Sequence, residues 1–579
     1  MSTAAPNCFS TSAGACIPRR SEAPRSARRR NDRHGPTLRL VHVTDRRLPR
    51  RPSSVASGRR RQRAVPVTVP GCLALVAALF ATFVFSSASA GSIARAGNVA
   101  ARTNLILNPG AEAGAASAQG WDAVTIPAWQ IEAGLPTVVR YGTKGFPPSS
   151  ANHDGAQADQ LFAGGAGGTA QLGQLVPIRL TQPRSSEVSV RYELSARLGG
   201  TATSAASATV AFLSSAGHVL GRAQIGPVGE KPGDTVARLV LRTTSGPLPS
   251  GAVSARVELV LATSLTDDDG PYAPAVGYNR AVADDLDLSV SVPVTGTRRL
   301  VPPPAHVPRF AHVFLIYFEN EDFAQVVGNT AKAPYMNRLI SGGSLLADFF
   351  AEEHPSDGNY LAFAGGSTFG VPLTDPLEEN PTYTIDARNI GDLIDAAHET
   401  WAGFLQSADG PCDNTVHGYY WNDDLPMLYF KDVRERPSYC SAHVLPLQAL
   451  QPDLETAATT PAFSWIGPND CSDIEGCGIR AGDEFLQQVA TEIFKSPAWT
   501  TQRSLLIVTF DEDNTNHERP AQLVPTFVLG SQDVRHGYVS SVRYTHYSLL
   551  RTVEAALGLG TLTQNDRYAS PLNDVFTTS

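Results

Sequence analysis

Three apolar segments of this sequence end in acidic or amide side chains that could bind a cation. The segments "HVFLIYF", "FSWIG" and "SLLIVTF" are followed, respectively, by Glu319 and Asn320, by Asn469, Asp470 and Asp473, and by Asp511, Glu512 and Asp513. A single carboxylate after a strand commonly caps the next helix. Three acidic strand ends at one edge would repel one another unless a cation neutralised them. The pattern therefore favours a divalent metal with oxygen ligands.

A polar stretch at residues 352 to 363, "EEHPSDGNYLAF", could supply a nucleophile. Ser, Asp, Gly and Asn are common turn residues, so a plain surface loop is one interpretation. The other is a nucleophile loop, because a metal would lower the hydroxyl pKa of Ser356. Asn359 would then donate its amide to a developing oxyanion, and His546 in "YTHYSLLRT" would complete the site or act as general acid.

These side chains need a scaffold that brings the strand ends together. Between residues 308 and 579, continuous apolar runs, "PTFVLG" among them, alternate with amphipathic patterns such as "AGDEFLQQVATEIF" and "YSLLRTVEAALGL". This alternation predicts an α/β domain with a largely parallel sheet. Ligands of such sheets bind at the carboxyl ends of the strands, so Ser356, one predicted helix beyond Glu319, could reach that edge. Asp483 in "AGDEFL" is expected to cap its own helix.

Residues 103–293 have a different texture, rich in Gly, Ala, Ser and Thr. Alternating runs such as "EVSVRYELSARL" and "SARVELVLAT" predict an antiparallel β-sandwich. Its opening "NLILNPGAEAG" and its closing strand "AVADDLDLSVSV" resemble the galactose-binding-like jelly rolls of secreted enzymes. That resemblance implies a carbohydrate ligand stacked on Trp121, Trp129 or Tyr141, although aromatic residues of a small sandwich more commonly lie in its core. A proline-rich segment, 294–307, predicts a semi-rigid linker to the α/β domain.

The first 90 residues have the features of an export region. Residues 1–64 hold sixteen Arg, no Lys and three acids, which predicts a disordered basic arm. Residues 65–90 combine an apolar centre with the small residues Ala88-Ser89-Ala90, the pattern of a signal peptide cut after Ala90, although an uncleaved anchor is an alternative. An extracellular protein is therefore expected. The chain after residue 64 has 31 bases and 52 acids, a formal charge of −21, so nucleic acid is not expected as a partner.

Four of the seven cysteines lie in the part that would be exported, at positions 412, 440, 471 and 477. An even number in an exported chain predicts two disulfides, of which Cys412–Cys440 and Cys471–Cys477 join nearest neighbours. Metal binding by the closely spaced Cys471 and Cys477 is the less favoured interpretation.

Five ordered segments resemble the bacterial phosphoesterase family of acid phosphatases and type C phospholipases. They are "HVFLIYFENEDF", "HPSDGNYLAFAGGSTFG", "FSWIGPNDCSDIEGCGIRAGDEFL", "LLIVTFDED" and "THYSLLRTVEAALGL", which span nearly all of residues 308–579. The family is related to the alkaline phosphatase superfamily, whose metal-bound Ser or Thr stands three residues before an Asn, a spacing that "SDGN" keeps. The resemblance implies an alkaline-phosphatase-like fold, a phosphoseryl intermediate on Ser356, and metal ligation by Glu319, Asn320, Asp511 and Glu512.

Two segments depart from the family pattern, and both departures replace a histidine by an acid. Glu475 in "CSDIEGC" and Asp423 or Asp424 in "NDDLPMLYF" stand where relatives have His. One interpretation is a second metal site built from Asp473, Glu475 and His546. The alternative is a one-metal enzyme in which His354 or His417 provides acid catalysis.

The resulting prediction is a secreted, metal-dependent acid phosphatase that hydrolyses phosphate monoesters. A phospholipase C-type phosphodiesterase acting on phospholipids is the first alternative, because the same family contains both activities. A carbohydrate-binding protein with a decayed phosphatase domain is an alternative of another class, motivated by the two absent histidines.

Overall fold

The computed structural model describes residues 103–577 except 153–158, 182–189, 230–235, 265–278, 297, 372–375, 381 and 515–521. The expected basic arm and export signal lie outside the described residues. Ala94–Ser579 forms one compact unit. No helix in the described part of the chain is both long enough and apolar enough to cross a membrane.

The N-terminal part of the described chain, here called the β module, contains eight strands. They are β1 Gln130–Arg140, β2 Gln160–Pro177, β3 Arg191–Gly199, β4 Ser204–Leu213, β5 Val219–Gly229, β6 Val240–Pro247, β7 Ser254–Thr263 and β8 Asn279–Val290, with a short 3-10 turn at Ser149–Ala151. Alternate residues of a strand face opposite sides, and in β7 Ala255, Val257, Leu259 and Leu261 are all fully buried. The period-two pattern therefore marks the core face of the module.

Hydrogen bonds connect the eight strands in the order β5-β4-β7-β2-β8-β3-β6, with β1 added on β2. Every pairing is antiparallel. The long strand β2 pairs with β8 near its start and with β7 through its second half, so it joins the two groups of strands. The all-β class is confirmed, but the strands form one continuous sheet rather than the two separate sheets that the sandwich prediction implied.

The aromatic residues considered as carbohydrate platforms are largely in the core. Trp129 is 7% exposed, donates its ring N–H to the carbonyl of Asn108, and meets Phe162 edge to face. Tyr141 is also buried and donates its hydroxyl to Asp284. Neither ring presents an open face to solvent, so core packing is the role that the structure gives them.

Ten strands are described in the C-terminal domain. They are β9 His312–Phe318, β10 Ser344–Leu346, β11 Phe349–Phe350, β12 Trp401–Leu405, β13 Val444–Pro446, β14 Phe463–Gly467, β15 Ser504–Phe510, β16 Thr526–Gly530, β17 Tyr538–Ser540 and β18 Tyr544–Thr545.

Twelve α-helices are described in the same domain: α1 Phe323–Val326, α2 Pro334–Gly342, α3 Asp357–Gly365, α4 Pro376–Glu379, α5 Ile390–Ala396, α6 Lys431–Arg434, α7 Pro437–His443, α8 Leu450–Asp453, α9 Ile479–Lys495, α10 Pro497–Thr501, α11 His546–Leu557 and α12 Gln564–Tyr568. Short 3-10 helices lie at Pro426–Tyr429, Leu447–Ala449 and Asn573–Val575.

The main sheet has the order β13-β12-β14-β9-β15-β16-β10-β17, and β11 pairs with β18 separately. Every residue of the central strands β9 and β15 is buried, because helices and loops cover both faces. Strand β16 runs antiparallel to both of its neighbours, while the other five pairings are parallel. The sheet is therefore mixed: it is largely parallel, as the sequence predicts, and "PTFVLG" forms the one strand that runs the other way among the described residues.

Asp483 does not cap its own helix, contrary to the expectation from the sequence. Asp483 lies inside α9 and accepts hydrogen bonds from the backbone N–H groups of Tyr335 and Met336, at 3.1 and 2.8 Å. It therefore satisfies the open N–H groups at the start of α2 rather than capping its own helix.

Both expected disulfides, Cys412–Cys440 and Cys471–Cys477, are present.

Candidate active site

The centre of the site is formed where β9 and β15 end side by side. Phe318 pairs with Phe510 in parallel register, so the next residues, Glu319 and Asp511, emerge together at one edge of the sheet. The backbone N–H of Asn320 donates to Asp511 Oδ1 at 2.8 Å. On the other side of β9, the backbone N–H of Glu319 donates to the carbonyl of Asp473 at 3.1 Å. All three acidic strand ends therefore meet, as the sequence predicts.

Ser356 joins this edge from the start of α3. Its hydroxyl donates to Glu319 Oε2 at 3.0 Å, and the side chain is partly exposed. The hydroxyl of Tyr360, one helical turn later, donates to the other carboxylate oxygen of Glu319. The amide of Asn320 donates to Glu319 Oε2 at 3.0 Å. Glu319 is thus held in place by three donors, one of which is the candidate nucleophile.

These residues line a cleft of about 520 Å³. Its lining comprises Glu319, Asn320, Pro355, Ser356, Asp357, Tyr360, Trp421, Asp423, Asp424, Asp470, Asp473, Glu475 and Glu512. Eight of these side chains carry a carboxyl group, and the lining contributed by the described residues has no Lys, Arg or His. An anionic substrate would be repelled by such a surface unless cations offset its charge.

The electrostatics of the cleft follow from this crowding. Burial, reinforced by the carboxylates of Asp511 and Asp424, raises the pKa of Glu319 well above its ordinary value. Burial likewise raises the pKa of Asp424, with Asp423 and Asp473 adding repulsion. The pKa of Asp473 rises to about 9, chiefly because its carboxyl is desolvated. Each shift has the direction expected for like charges gathered in a protected site.

The donor set of the cleft fits a hard divalent cation. Asp511 is fully buried, and among the described residues its Oδ2 has no hydrogen-bond partner. Burial raises the pKa of this carboxyl. A buried carboxylate oxygen without a donor is costly, and coordination to a cation would satisfy it. The described ligands are carboxylate, amide and hydroxyl oxygens, which suit Mg²⁺, Ca²⁺ or Mn²⁺ better than metals that prefer imidazole or thiolate. A separate group with ligand atoms within 4.8 Å of one another consists of Asp409, Asp413 and His417, on a more exposed loop.

His354 lies behind the nucleophile rather than in the cleft. Its Nδ1 is 2.5 Å from Glu512 Oε2, and its Nε2 is 2.7 Å from Asp513 Oδ1. Burial alone would lower the pKa of this imidazole, but the two carboxylates raise it to about 10. A charged ring held between two acids is a clamp for the β15 end, which differs from the expected role of an acid that faces the substrate.

Asn359 also has a different environment from the one expected. Its Oδ1 accepts the backbone N–H groups of Glu352 and Glu353 at 2.8 and 3.1 Å, and its Nδ2 donates to the Glu353 carbonyl at 2.7 Å. The side chain is fully buried and is not part of the cleft lining. The amide therefore holds the segment before Ser356, and the expected oxyanion contact does not agree with this arrangement.

His546 lies in the interior, where both of its ring nitrogens have partners. Its Nδ1 is 2.6 Å from Glu352 Oε2 and its Nε2 donates to the carbonyl of Phe510 at 2.9 Å. The ring is fully buried and both nitrogens are engaged, so it is not available as a second-site ligand or general acid in the cleft. It connects the nucleophile segment to the end of β15.

Some cleft residues were not singled out from the sequence. Tyr360 follows Ser356 by four residues, so helical spacing could have placed it on the same face of α3. Asp357 and Trp421 line the cleft as well, and Asp357 accepts the hydroxyl of Tyr429. Trp421 arrives from the loop that also carries Asp423 and Asp424, and no local pattern in the sequence marks it.

Sequence comparisons identify relatives of this chain. A family model described as the phosphoesterase family matches residues 329–560. The chain is 31% identical over 273 residues to a phosphatidylinositol-3-phosphatase of Mycobacterium tuberculosis, covering 47% of this chain and 84% of that protein. It is 28% identical over 335 residues to a phosphate-repressible acid phosphatase of Penicillium chrysogenum, covering 55% and 73%. The chain belongs to the phosphoesterase family and is a hydrolase acting on phosphate esters.

Among solved structures, a protein of the alkaline phosphatase superfamily from Vibrio parahaemolyticus is similar with a TM-score of 0.33 and 12% identity. The match covers 46% of this chain and 71% of that chain.

Proposed function

We propose that the cleft hydrolyses phosphate monoesters through a phosphoseryl intermediate on Ser356, as in an acid phosphatase. The observation that carries this proposal is the Ser356 hydroxyl, which donates to Glu319 at the wall of the carboxylate-lined cleft. The similarity to an acid phosphatase supports the monoester class.

In this mechanism Ser356 Oγ attacks the phosphorus atom, and the bond from phosphorus to the ester oxygen breaks. Glu319 Oε2 accepts the hydrogen bond of the hydroxyl at 3.0 Å, so it orients the hydroxyl and can accept its proton. The leaving alcohol takes a proton from water. A second water then cleaves the Oγ–P bond, which releases inorganic phosphate and restores the serine. Positioning and charge neutralisation supply most of the rate in phosphoryl transfer.

Divalent cations complete the proposal. Glu319, Asn320, Asp511 and Glu512 would hold one cation, which would neutralise charge on the phosphate and lower the hydroxyl pKa of Ser356. Asp473 and Glu475 would contribute to a second position together with Asp423 or Asp424, because His546 is engaged elsewhere. Acids in place of the histidines then change the type of ligand without removing the site.

A phospholipase C-type activity is the alternative favoured by a specific observation. Trp421 lines the cleft, and on the same loop Val416 and Tyr419 are 43% and 53% exposed. The carbonyl of Tyr419 accepts the backbone N–H of Asp470, which connects this apolar loop to the wall of the cleft. An apolar leaving group, aryl or acyl, would contact it.

Secretion and a carbohydrate ligand for the β module remain parts of the proposal that rest on the sequence. The export pattern at 65–90 and the two disulfides support an extracellular location. A jelly-roll relationship of the β module rests on its antiparallel strands and its opening and closing segments.

The test compares an aryl phosphate monoester, the matching diester and phosphatidylcholine, with and without chelator. Ser356→Ala should abolish turnover, while Ser341→Ala, on the exposed face of α2, serves as the matched control. Monoester turnover that requires both Ser356 and a divalent cation supports the proposal. Preferential cleavage of phosphatidylcholine would establish the phospholipase alternative, and no cleavage with any divalent cation would indicate a decayed domain.

A further inference from the structure

A short segment of the β module contacts the residues that lead to the candidate nucleophile. This segment, residues 117–125, precedes β1 and is here called the docking segment. Residues 352–356, which end at Ser356, form the nucleophile segment. The backbone N–H of Ala123 donates to the carbonyl of Glu352 at 3.3 Å, and both residues lie within one compact unit. The β module therefore touches the nucleophile segment directly.

Glu352 is the residue at which three different partners hold this segment. Its backbone N–H donates to Asn359 Oδ1 at 2.8 Å, and its carboxylate lies 2.6 Å from His546 Nδ1. Both of these partners belong to the C-terminal domain. The carbonyl of Glu352 accepts from Ala123, so this third contact comes from the β module. Because supporting hydrogen bonds of this kind fix the geometry of a reacting group, the position of Ser356, four residues later, depends on them.

The docking segment also contacts the chain just after α3, the helix that follows the nucleophile segment. The hydroxyl of Thr368 donates to Asp122 Oδ2 at 3.0 Å, and both side chains are buried. The backbone N–H of Thr125 donates to Asn565 Oδ1 at 3.1 Å, and Asn565 Nδ2 donates to the carbonyl of Gly366 at 3.1 Å. The contacts of the docking segment therefore lie on both sides of α3, before its start and after its end.

Asp122 is anchored within the β module by further hydrogen bonds. Its other carboxylate oxygen accepts the hydroxyl of Ser117, and its carbonyl accepts the hydroxyl of Thr137 in β1 at 2.6 Å. Burial raises the pKa of Asp122, while the hydroxyl groups of Ser117 and Thr368 act in the opposite direction. A buried carboxylate is costly unless donors satisfy it, so loss of the Thr368 donor would be unfavourable. Asp122 thus connects β1 to the end of α3 through buried groups.

We propose that Asp122 is a positioning residue of the active site, which together with Ala123 holds the nucleophile segment and α3 so that Ser356 is presented to Glu319. This inference rests on the proposed role of Ser356 as the nucleophile. It gives the β module a part in catalysis that is separate from any ligand that the module binds. A misplacement of about 1 Å at a reacting group can cost on the order of 100-fold in rate, so a small displacement of α3 would be measurable.

The test measures kcat and KM for an aryl phosphate with variants of the full chain. Asp122→Ala should lower kcat at least about ten-fold with little change in KM, because the cleft that binds the phosphate is not altered. Asp122→Asn keeps groups that can hydrogen-bond to Ser117 and Thr368, so it should retain most of the kcat. Tyr141→Phe is the matched control, because it removes a buried hydrogen bond to Asp284 elsewhere in the β module. This control should lower stability without changing kcat.

A double variant tests whether Asp122 and Thr368 act through their shared hydrogen bond. Thr368→Val removes only the donor of that bond and should also lower kcat. If the two side chains act together, Asp122→Ala combined with Thr368→Val should lose no more kcat than Asp122→Ala alone. Losses that multiply in the double variant would overturn the proposal, as would an unchanged kcat in Asp122→Ala. If Asp122→Ala does not fold, an unchanged kcat in Thr368→Val would overturn it instead.

Amide hydrogen–deuterium exchange provides a measurement that does not require turnover. Asp122→Ala should exchange faster than the parent in peptides that cover residues 352–366, whereas Tyr141→Phe should leave these peptides unchanged. Equal exchange in Asp122→Ala and the parent would count against the positioning role. A parent chain without turnover that depends on Ser356 would refute the proposed function, and faster exchange in Asp122→Ala would still support the hold of the docking segment on the nucleophile segment.

Discussion

Asn359 provides a direct test of how the nucleophile segment is held. Replacing it by Ala removes three buried hydrogen bonds, two accepted from the backbone N–H groups of Glu352 and Glu353 and one donated to the Glu353 carbonyl. Each buried group left without a partner costs about 1–3 kcal/mol, so the variant should lose roughly 3–5 kcal/mol of unfolding free energy. That is a large part of the about 5–15 kcal/mol that typically stabilises a domain.

The assay is urea denaturation followed by tryptophan fluorescence, together with kcat for an aryl phosphate. Asn389→Ala is the matched control, because Asn389 is also fully buried and caps α5 by accepting from Gly391 N at 2.8 Å. Both variants should lower stability, and only Asn359→Ala should also lower kcat of the folded protein. A large loss of kcat with the unfolding free energy within about 0.5 kcal/mol of the parent would refute the positioning role and restore a direct oxyanion contact.

Three further outcomes are expected. Asp511→Asn should remove the rise in Tm that Mg²⁺ or Mn²⁺ gives the parent protein. Asp409→Asn, in the group formed by Asp409, Asp413 and His417, should retain that rise. The reverse result would show that the cation binds at the Asp409 loop. Trp421→Ala should raise KM for an aryl phosphate roughly five-fold with little change for glycerol phosphate, since an aromatic contact contributes on the order of 1 kcal/mol. An equal rise for both substrates would contradict a leaving-group contact. In the β module, burial raises the pKa of Asp284 from 3.8 to about 7, so its stabilising contribution is complete below pH 4 and is lost as pH rises through 7. The loss amounts to about 4 kcal/mol, and Asp284→Asn should flatten this part of the stability curve measured by urea denaturation; an unchanged slope would show that other groups titrate there.

The sequence predicted that the acidic strand ends meet at one edge of the sheet, because that prediction depended on local patterns. Strands β9, β14 and β15 end at Phe318, Gly467 and Phe510, where their apolar runs end. A run buried on both faces must stop where polar side chains begin, so the strand limits and the acids beyond them are visible in the chain itself. The two disulfides between nearest cysteines are confirmed for a similar reason, since short separations leave few competing pairings.

Local sequence patterns could not predict the direction of β16 or the partners of the buried polar side chains. An apolar strand has the same pattern whichever way it runs, so "PTFVLG" could not show that β16 is antiparallel. The sequence likewise could not show that Asp483 caps α2, because its partners Tyr335 and Met336 are almost 150 positions away along the chain.

The sequence by itself therefore determined which residues stand at this edge of the sheet: an acid after each central strand and a serine at the start of a helix. Only the tertiary structure decided what each imidazole and amide does there. His354, Asn359 and His546 have the types expected of catalytic groups, but each is saturated by partners brought from distant segments. Most polar side chains in a protein interior have their hydrogen bonds satisfied, and which partners satisfy them depends on packing that no local pattern records.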